Sequence, residues 1–166
     1  MQELTHYLNG EHVKGTSGRF ADVYNPATGE VQAKCPLANE AEMDQAVKYA
    51  MAAQPAWAAV NPQRRARVMM KFVDLLNRDM DKLAEALSRE HGKTLPDAAG
   101  DVQRGLEVVE YCIGAPELLK GDYTDSAGPG IDMYSMRQPL GVSAGITPFN
   151  FPAMIPMWMF APAIVC

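Results

Sequence analysis

Apolar positions recur along this chain with different spacings, and each spacing predicts a different element. Near the start, Tyr7-Leu8 and His12-Val13 flank Asn9-Gly10, the pair best suited to the two left-handed positions of a type I′ turn, so a short hairpin is expected there. Asn25-Pro-Ala-Thr-Gly-Glu30 marks a second turn between two apolar-polar runs. The spacing then becomes helical. Asn39 and Glu42 form a capping box ahead of Met43, Ala46, Val47, Ala50 and Met51, a face expected to be buried in a helix that Pro55 ends. Asn61-Pro62 opens the longest predicted helix, with Ala66, Met69, Met70, Val73, Leu76, Met80, Leu83 and Leu87 in one stripe until His91-Gly92 stops it. A third helix is predicted from about Pro96 to Ile113, buried through Val102, Leu106, Val109 and Ile113. Its Gly100 and Gly105 each cost about 1 kcal/mol relative to Ala, which points to a close approach by another backbone.

Beyond that helix the pattern returns to strands. Gly128-Pro129-Gly130 is a turn, Ile131 to Arg137 reads as an exposed strand, and Gly141 to Thr147 reads as a buried one leading into an apolar helix. Arg137 is the last charged side chain, and such a long uncharged run raises the possibility of a membrane span. Pro139, Pro148, Pro152, Pro156 and Pro162 argue against it, because an interior proline removes a helical hydrogen bond, so no membrane partner is expected. The mixture of strands and helices places the chain in the α/β or α+β class.

Composition narrows the function classes. The 166 residues carry 15 basic and 20 acidic side chains, a net charge of −5, so no nucleic-acid partner is expected, since such binders rely on a basic face. Three cysteines, widely spaced, make no disulfide framework and suit a reducing compartment. The first residues show no secretory or transit pattern, so a cytoplasmic location is expected.

Candidate chemistry is sparse. His6, His12 and His91 lack metal-binding spacing, and no metal is expected. Arg64-Arg65-Ala66-Arg67 reads as a solvated first helical turn. Neither a Walker A loop nor GxGxxG occurs. Cys35, Cys112 and Cys166 lack a local histidine, a glycine elbow or a basic setting, and read as small buried hydrophobes. The unusual constellation is Gly145-Ile-Thr-Pro-Phe-Asn150-Phe-Pro-Ala153, a strand running into a proline-bracketed asparagine and then a helix. An amide at the C-terminal end of a strand lies where open α/β sheets bind ligands and can donate to an oxyanion. It can equally satisfy the backbone of its own turn. Both readings stand at this level.

Four segments, taken in order and spacing, resemble the N-terminal third of the aldehyde dehydrogenase superfamily: Asn25-Pro-Ala-Thr-Gly-Glu30, Arg89-Glu-His-Gly-Lys-Thr94, Gln138-Pro-Leu-Gly-Val142 and Pro148-Phe-Asn-Phe-Pro152. Phe149, the run Gly100-Asp-Val-Gln-Arg-Gly-Leu-Glu-Val-Val-Glu110 and Pro152-Ala-Met-Ile-Pro-Met-Trp-Met-Phe160 resemble its CoA-acylating methylmalonate-semialdehyde dehydrogenases. The resemblance implies an α/β subunit. Residues 1–120 would be the outer part of an NAD-binding domain, 121–140 strands of an oligomerisation arm, and 141–166 the first strand and opening helix of the dinucleotide fold. It also implies a homo-oligomer, tetramer or dimer, with NAD as cofactor, coenzyme A as co-substrate and a semialdehyde substrate. Asn150 would serve the oxyanion hole, and Thr147 and Phe149 would line the nicotinamide side. The branch mostly has Ala at the position of Thr147, so backbone contact is expected there. Arg104 would face the substrate's carboxylate, or else pair with Asp101 or Glu107 one turn away. The family's nucleophilic cysteine matches none of the three present, so this segment alone is expected to be inactive. Two alternatives remain: a non-acylating dehydrogenase, or a non-catalytic interaction protein docking through residues 139–166.

Overall fold

The computed structural model describes residues 2–166. Its first layer is made of short strands. β1 (Gln2–Glu3) runs parallel to β5 (Val31–Pro36), which pairs antiparallel with β4 (Phe20–Tyr24), giving the order β1-β5-β4. β2 (His6–Leu8) and β3 (Glu11–Val13) form the predicted hairpin, with Leu8 opposite Glu11. Asn9 and Gly10 take φ of 52° and 83°, the left-handed pair a type I′ turn requires. In the second turn Asn25 Oδ1 accepts from the Ala27 amide, and the Asn25 carbonyl accepts from Gly29.

The helices begin where the sequence places their caps. In α1 (Glu40–Ala58) the Asn39 side chain accepts from the Glu42 amide, and the Glu42 carboxylate accepts from the Asn39 amide. That carboxylate also accepts from the Thr16 amide at 2.6 Å, which ties the helix start to the strand layer; the Asn39 amide first, and the Thr16 amide after it, hold the Glu42 carboxyl below its ordinary value. Pro55 does not end α1. The helix runs through it to Ala58, and the extra turn brings Trp57 Nε1 to the Ile164 carbonyl at 2.7 Å. The expected apolar face of α1 is not buried either: Met43, Val47 and Met51 are exposed, because no described element covers them.

The long predicted helix is two, α2 (Pro62–Arg78) and α3 (Met80–His91), broken at Asp79 with φ −107° and ψ 16°. Asp79 holds Arg78 and Lys82 through its carboxylate, and the bend re-aims the Ala84/Leu87 face. Those two cations hold the Asp79 carboxyl down to about 2. A depressed carboxyl stabilises the fold above its unfolded value near 3.8, and that contribution fades as pH falls through about 2. Asp79→Asn is therefore expected to lower the melting temperature of the complete polypeptide at neutral pH, and wild type and variant should converge on acidification. Circular-dichroism melts across that range check it, and a gap that does not close with pH would contradict it.

α4 (Leu95–Cys112), capped by Thr94, is the centre of the core. Its Val102, Leu106 and Val109 pack with Met69, Leu76 and Leu87 from α2 and α3, and with Met157, Ala161 and Val165 from α6 (Met154–Val165). Asp101 lies by Met154 and Arg104 by Trp158, so α4 and α6 run parallel. Gly105 permits the close approach, because a Cβ there would lie 3.2 Å from the Met154 Cα and collide with the Met157 side chain. Gly100 has open space instead, so the expectation of a second close contact does not hold.

A short α5 (Ala115–Leu118) leads to β6 (Tyr123–Gly128) and β7 (Ile131–Tyr134), joined through Pro129-Gly130 into an exposed hairpin. Residues 141–147, expected as a buried strand, form no strand and are exposed. Their apolar pattern suits a covered strand, yet no described strand lies alongside to complete a ladder. No helix among the described residues is long and apolar enough to cross a membrane.

Candidate active site

The turn between segment 141–147 and α6 carries the candidate chemistry. Residues 149–153 bend tightly, after which the backbone becomes helical at Met154, with Ile155 donating to the Phe151 carbonyl. Asn150 sits at the apex, exposed, and its side-chain amide has no hydrogen-bond partner among the described residues. The alternative of an asparagine consumed by its own turn is thus not the arrangement found. Its donors are left available to whatever occupies the space beside the turn.

Two recesses flank it. Thr147, Pro148, Phe149 and Pro152, with Glu90 and His91 from the end of α3, line one of about 740 Å³. Phe151 lines the other, of about 370 Å³, with Lys93, Pro96, Asp97, Gly100 and Arg104. The chain passes from the first recess to the second through Asn150. The structure therefore places Thr147 and Phe149 on one side of the turn and Arg104 on the other.

Arg104 is exposed and makes no ion pair among the described residues. Neither expected helix partner takes it: Glu107 accepts from Gln103 at 3.3 Å, and Asp101 turns inward. Gly100, one turn earlier, has open space where a Cβ would be and lines the same recess as Arg104. A free guanidinium fork next to such a gap can hold a planar carboxylate through two parallel hydrogen bonds.

Beneath the turn lies an ion pair that sequence reasoning does not single out. Asp101 is fully buried, and its Oδ2 lies 2.6 Å from Lys93 Nζ. Its Oδ1 accepts from the Met154 amide at 2.7 Å. Lys93 also stands over the Phe151 ring, 4.1 Å from its centre. The available signal was an acid on the buried stripe of α4, between Ala98 and Val102.

The cysteines divide. Cys112 is buried as expected, and burial pushes its thiol up, away from the reactive thiolate. Cys35 is half-buried and Cys166 exposed among the described residues, against expectation. The 12 residues of α6 put Cys166 roughly 18 Å from the Asn150 turn, too far to share a reacting atom. The first turn of α2 is also not wholly solvated, because Arg65 is buried. No group of three His, Cys, Asp or Glu side chains among the described residues is placed to hold a metal.

Comparison with known proteins locates this geometry. The sequence profile of the aldehyde dehydrogenase family matches residues 12–166. A malonate-semialdehyde dehydrogenase of Pseudomonas aeruginosa is 51% identical over the whole chain, which covers 33% of its length. The acylating mitochondrial methylmalonate-semialdehyde dehydrogenase of Arabidopsis thaliana is 50% identical over 96% of the chain and 26% of its own length. A Sinorhizobium meliloti protein crystallised with NAD, described as a methylmalonate-semialdehyde dehydrogenase, superposes with a TM-score of 0.98 and 66% identity, over 100% of this chain and 34% of that one. The chain thus spans about a third of the length of the relatives it matches.

Proposed function

This chain belongs to the aldehyde dehydrogenase family, and from that premise we propose that the complete protein oxidises malonate or methylmalonate semialdehyde with NAD. The product would be acetyl-CoA or propanoyl-CoA, with loss of CO2. The observation that carries the reading is the unpartnered Asn150 amide between two recesses, one of them presenting a free arginine. A cysteine thiolate from the remainder of the polypeptide would add to the aldehyde carbon, and the carbonyl oxygen would become an oxyanion. Asn150 would donate its amide to that oxygen, which needs no proton transfer and no rearrangement of the turn. Arg104 would pair with the carboxylate at the far end of the substrate and so fix which face of the aldehyde meets the amide.

The recess lined by Thr147 and Phe149 fits the nicotinamide end of a dinucleotide. It is open, it is walled by the Phe149 ring and exposed main chain, and it is large enough for a flat heterocycle. When bound, NAD supplies the hydride acceptor. The resulting thioester would pass to coenzyme A, in keeping with relatives named as acylating. We further propose that 1–120 is the outer part of the cofactor domain, that the exposed hairpin within 121–140 is an oligomerisation arm, and that 141–166 opens the dinucleotide fold. The homo-oligomer would be a tetramer or dimer. The free thiols suit a reducing compartment such as the cytoplasm.

The test uses the complete polypeptide with malonate semialdehyde, NAD and coenzyme A, reading NADH by absorbance and acetyl-CoA by mass spectrometry. Acetyl-CoA formation that depends on both NAD and coenzyme A is the expected outcome. Free acetate formed at the same rate without coenzyme A would favour the non-acylating alternative. In the same assay Arg104→Leu should raise KM for malonate semialdehyde by about 10- to 100-fold, the value of a charge-assisted hydrogen-bond pair. Its KM for propanal, which has no carboxylate, should stay within about twofold. Equal shifts for both substrates would remove Arg104 from the site.

A further inference from the structure

α6 starts without a cap of its own. The residue before it is Ala153, which has no side chain able to accept from the first amides of the helix. The missing acceptor comes from α4, 53 positions earlier, where Asp101 Oδ1 takes the Met154 amide at 2.7 Å. A carboxylate at a helix N-terminus faces the positive end of the macrodipole, and its complete burial removes the screening that water would give. The second oxygen of the same carboxylate is held by Lys93 at 2.6 Å, a lysine that is itself mostly buried. The lysine then covers the Phe151 ring. One buried ion pair thus grips the chain at Phe151 and at Met154, immediately after Asn150. Among the described residues no side-chain hydrogen bond holds Asn150 at the apex, and the preceding segment 141–147 pairs with no strand.

We propose that Asp101, assisted by Lys93, is a positioning residue for Asn150: by capping α6 from α4 it fixes the turn that aims the catalytic amide. The proposal rests on the reading of Asn150 as the oxyanion donor. Asp101 lines neither recess, while its partner Lys93 lines the one that holds Arg104, so an effect carried through the turn is recognised by its dependence on Asn150.

A double-substitution cycle in the complete polypeptide tests it. Asp101→Asn keeps the side-chain shape and an acceptor for the Met154 amide but removes the charge that holds Lys93. It should lower kcat about tenfold when Asn150 is present and by less than about twofold when Asn150 is already Ala. Hydrogen exchange of the peptide spanning 147–157 should speed up in Asp101→Asn. Where that variant fails to fold, Lys93→Met, which frees the carboxylate and uncovers Phe151, should show the same dependence on Asn150. An equal loss of kcat in both backgrounds would mean general structural damage and would overturn the proposal, as would unchanged kcat in a folded variant. Unchanged exchange across 147–157 would overturn the positioning step by itself. Wild-type kcat in Asn150→Ala would instead remove the oxyanion reading and the catalytic consequence assigned to Asp101, whatever the exchange data show.

Discussion

Asn150→Ala in the complete enzyme is expected to lower kcat by about 10²–10³-fold, the loss of roughly 2.7–4 kcal/mol that follows removal of one oxyanion donor. The size follows from timing. An aldehyde oxygen in the ground state carries only partial charge, while the oxygen after thiolate addition carries a full one, so a fixed amide gains most of its interaction as the barrier is climbed. The loss should therefore appear in kcat, with KM for the semialdehyde moving far less. Stability should barely change, because the amide bonds to nothing among the described residues. Exposed substitutions of that kind usually stay within about 0.5 kcal/mol. Asn150→Asp should be no better than Ala, since it keeps the shape but turns a lone-pair-bearing anion toward the developing charge. Steady-state kinetics paired with melting curves check all of this. A kcat within a few-fold of wild type, or a loss accompanied by an equally large drop in stability, would defeat the assignment.

Local chemistry made parts of this fold readable in advance. The Asn39/Glu42 capping box, the Asn61-Pro62 helix start, the Asn9-Gly10 hairpin and the Gly92 helix stop, at φ 83°, each depend on residues within a few positions of one another. Features that depend on distant partners were not readable. Pro55 looked like a stop because the reward for continuing, the Trp57 bond to Ile164, comes from the other end of the chain. Asp79 looked like one more polar position on a continuous helix, because its bend serves packing against α4. Residues 141–147 have the composition of a buried strand, but burial belongs to neighbours, and the described residues supply no strand beside them. The same division holds at the site. Asn150 stood out through its proline bracket, and the family resemblance supplied a role. The Lys93–Asp101 pair beneath it is visible only once α4 and α6 are packed side by side.

Arg65 is the costliest residue to have been read as solvated, and its replacement is the largest stability effect expected in this chain. It belongs to a run of three arginines, but it lies one turn before Met69 and shares that buried face, while Arg64 and Arg67 point outward. The guanidinium donates from Nε to the Val165 carbonyl at 2.9 Å and from Nη1 to the Val60 carbonyl at 2.5 Å. It thereby ties the last described turn of α6 to the loop that follows α1. With Asp101 at its start, an uncharged helix is held by two buried charges of opposite sign, both contributed by other helices. Arg65→Met preserves length and apolar packing but leaves two carbonyls without their donors. Each orphaned buried group costs about 1–3 kcal/mol, so the expected loss is ~2–6 kcal/mol. Arg65→Lys should recover only part of it, because a single ammonium cannot reach both carbonyls with the geometry of a fork. Arg64→Met and Arg67→Met should stay within about 0.5 kcal/mol. Urea titrations of the four variants in the complete polypeptide decide the matter. An Arg65→Met midpoint equal to that of Arg67→Met would show that the bonds at the end of α6 contribute nothing. A large midpoint shift with kcat preserved below the transition would separate this end of α6, which holds the fold, from the end that holds Asn150.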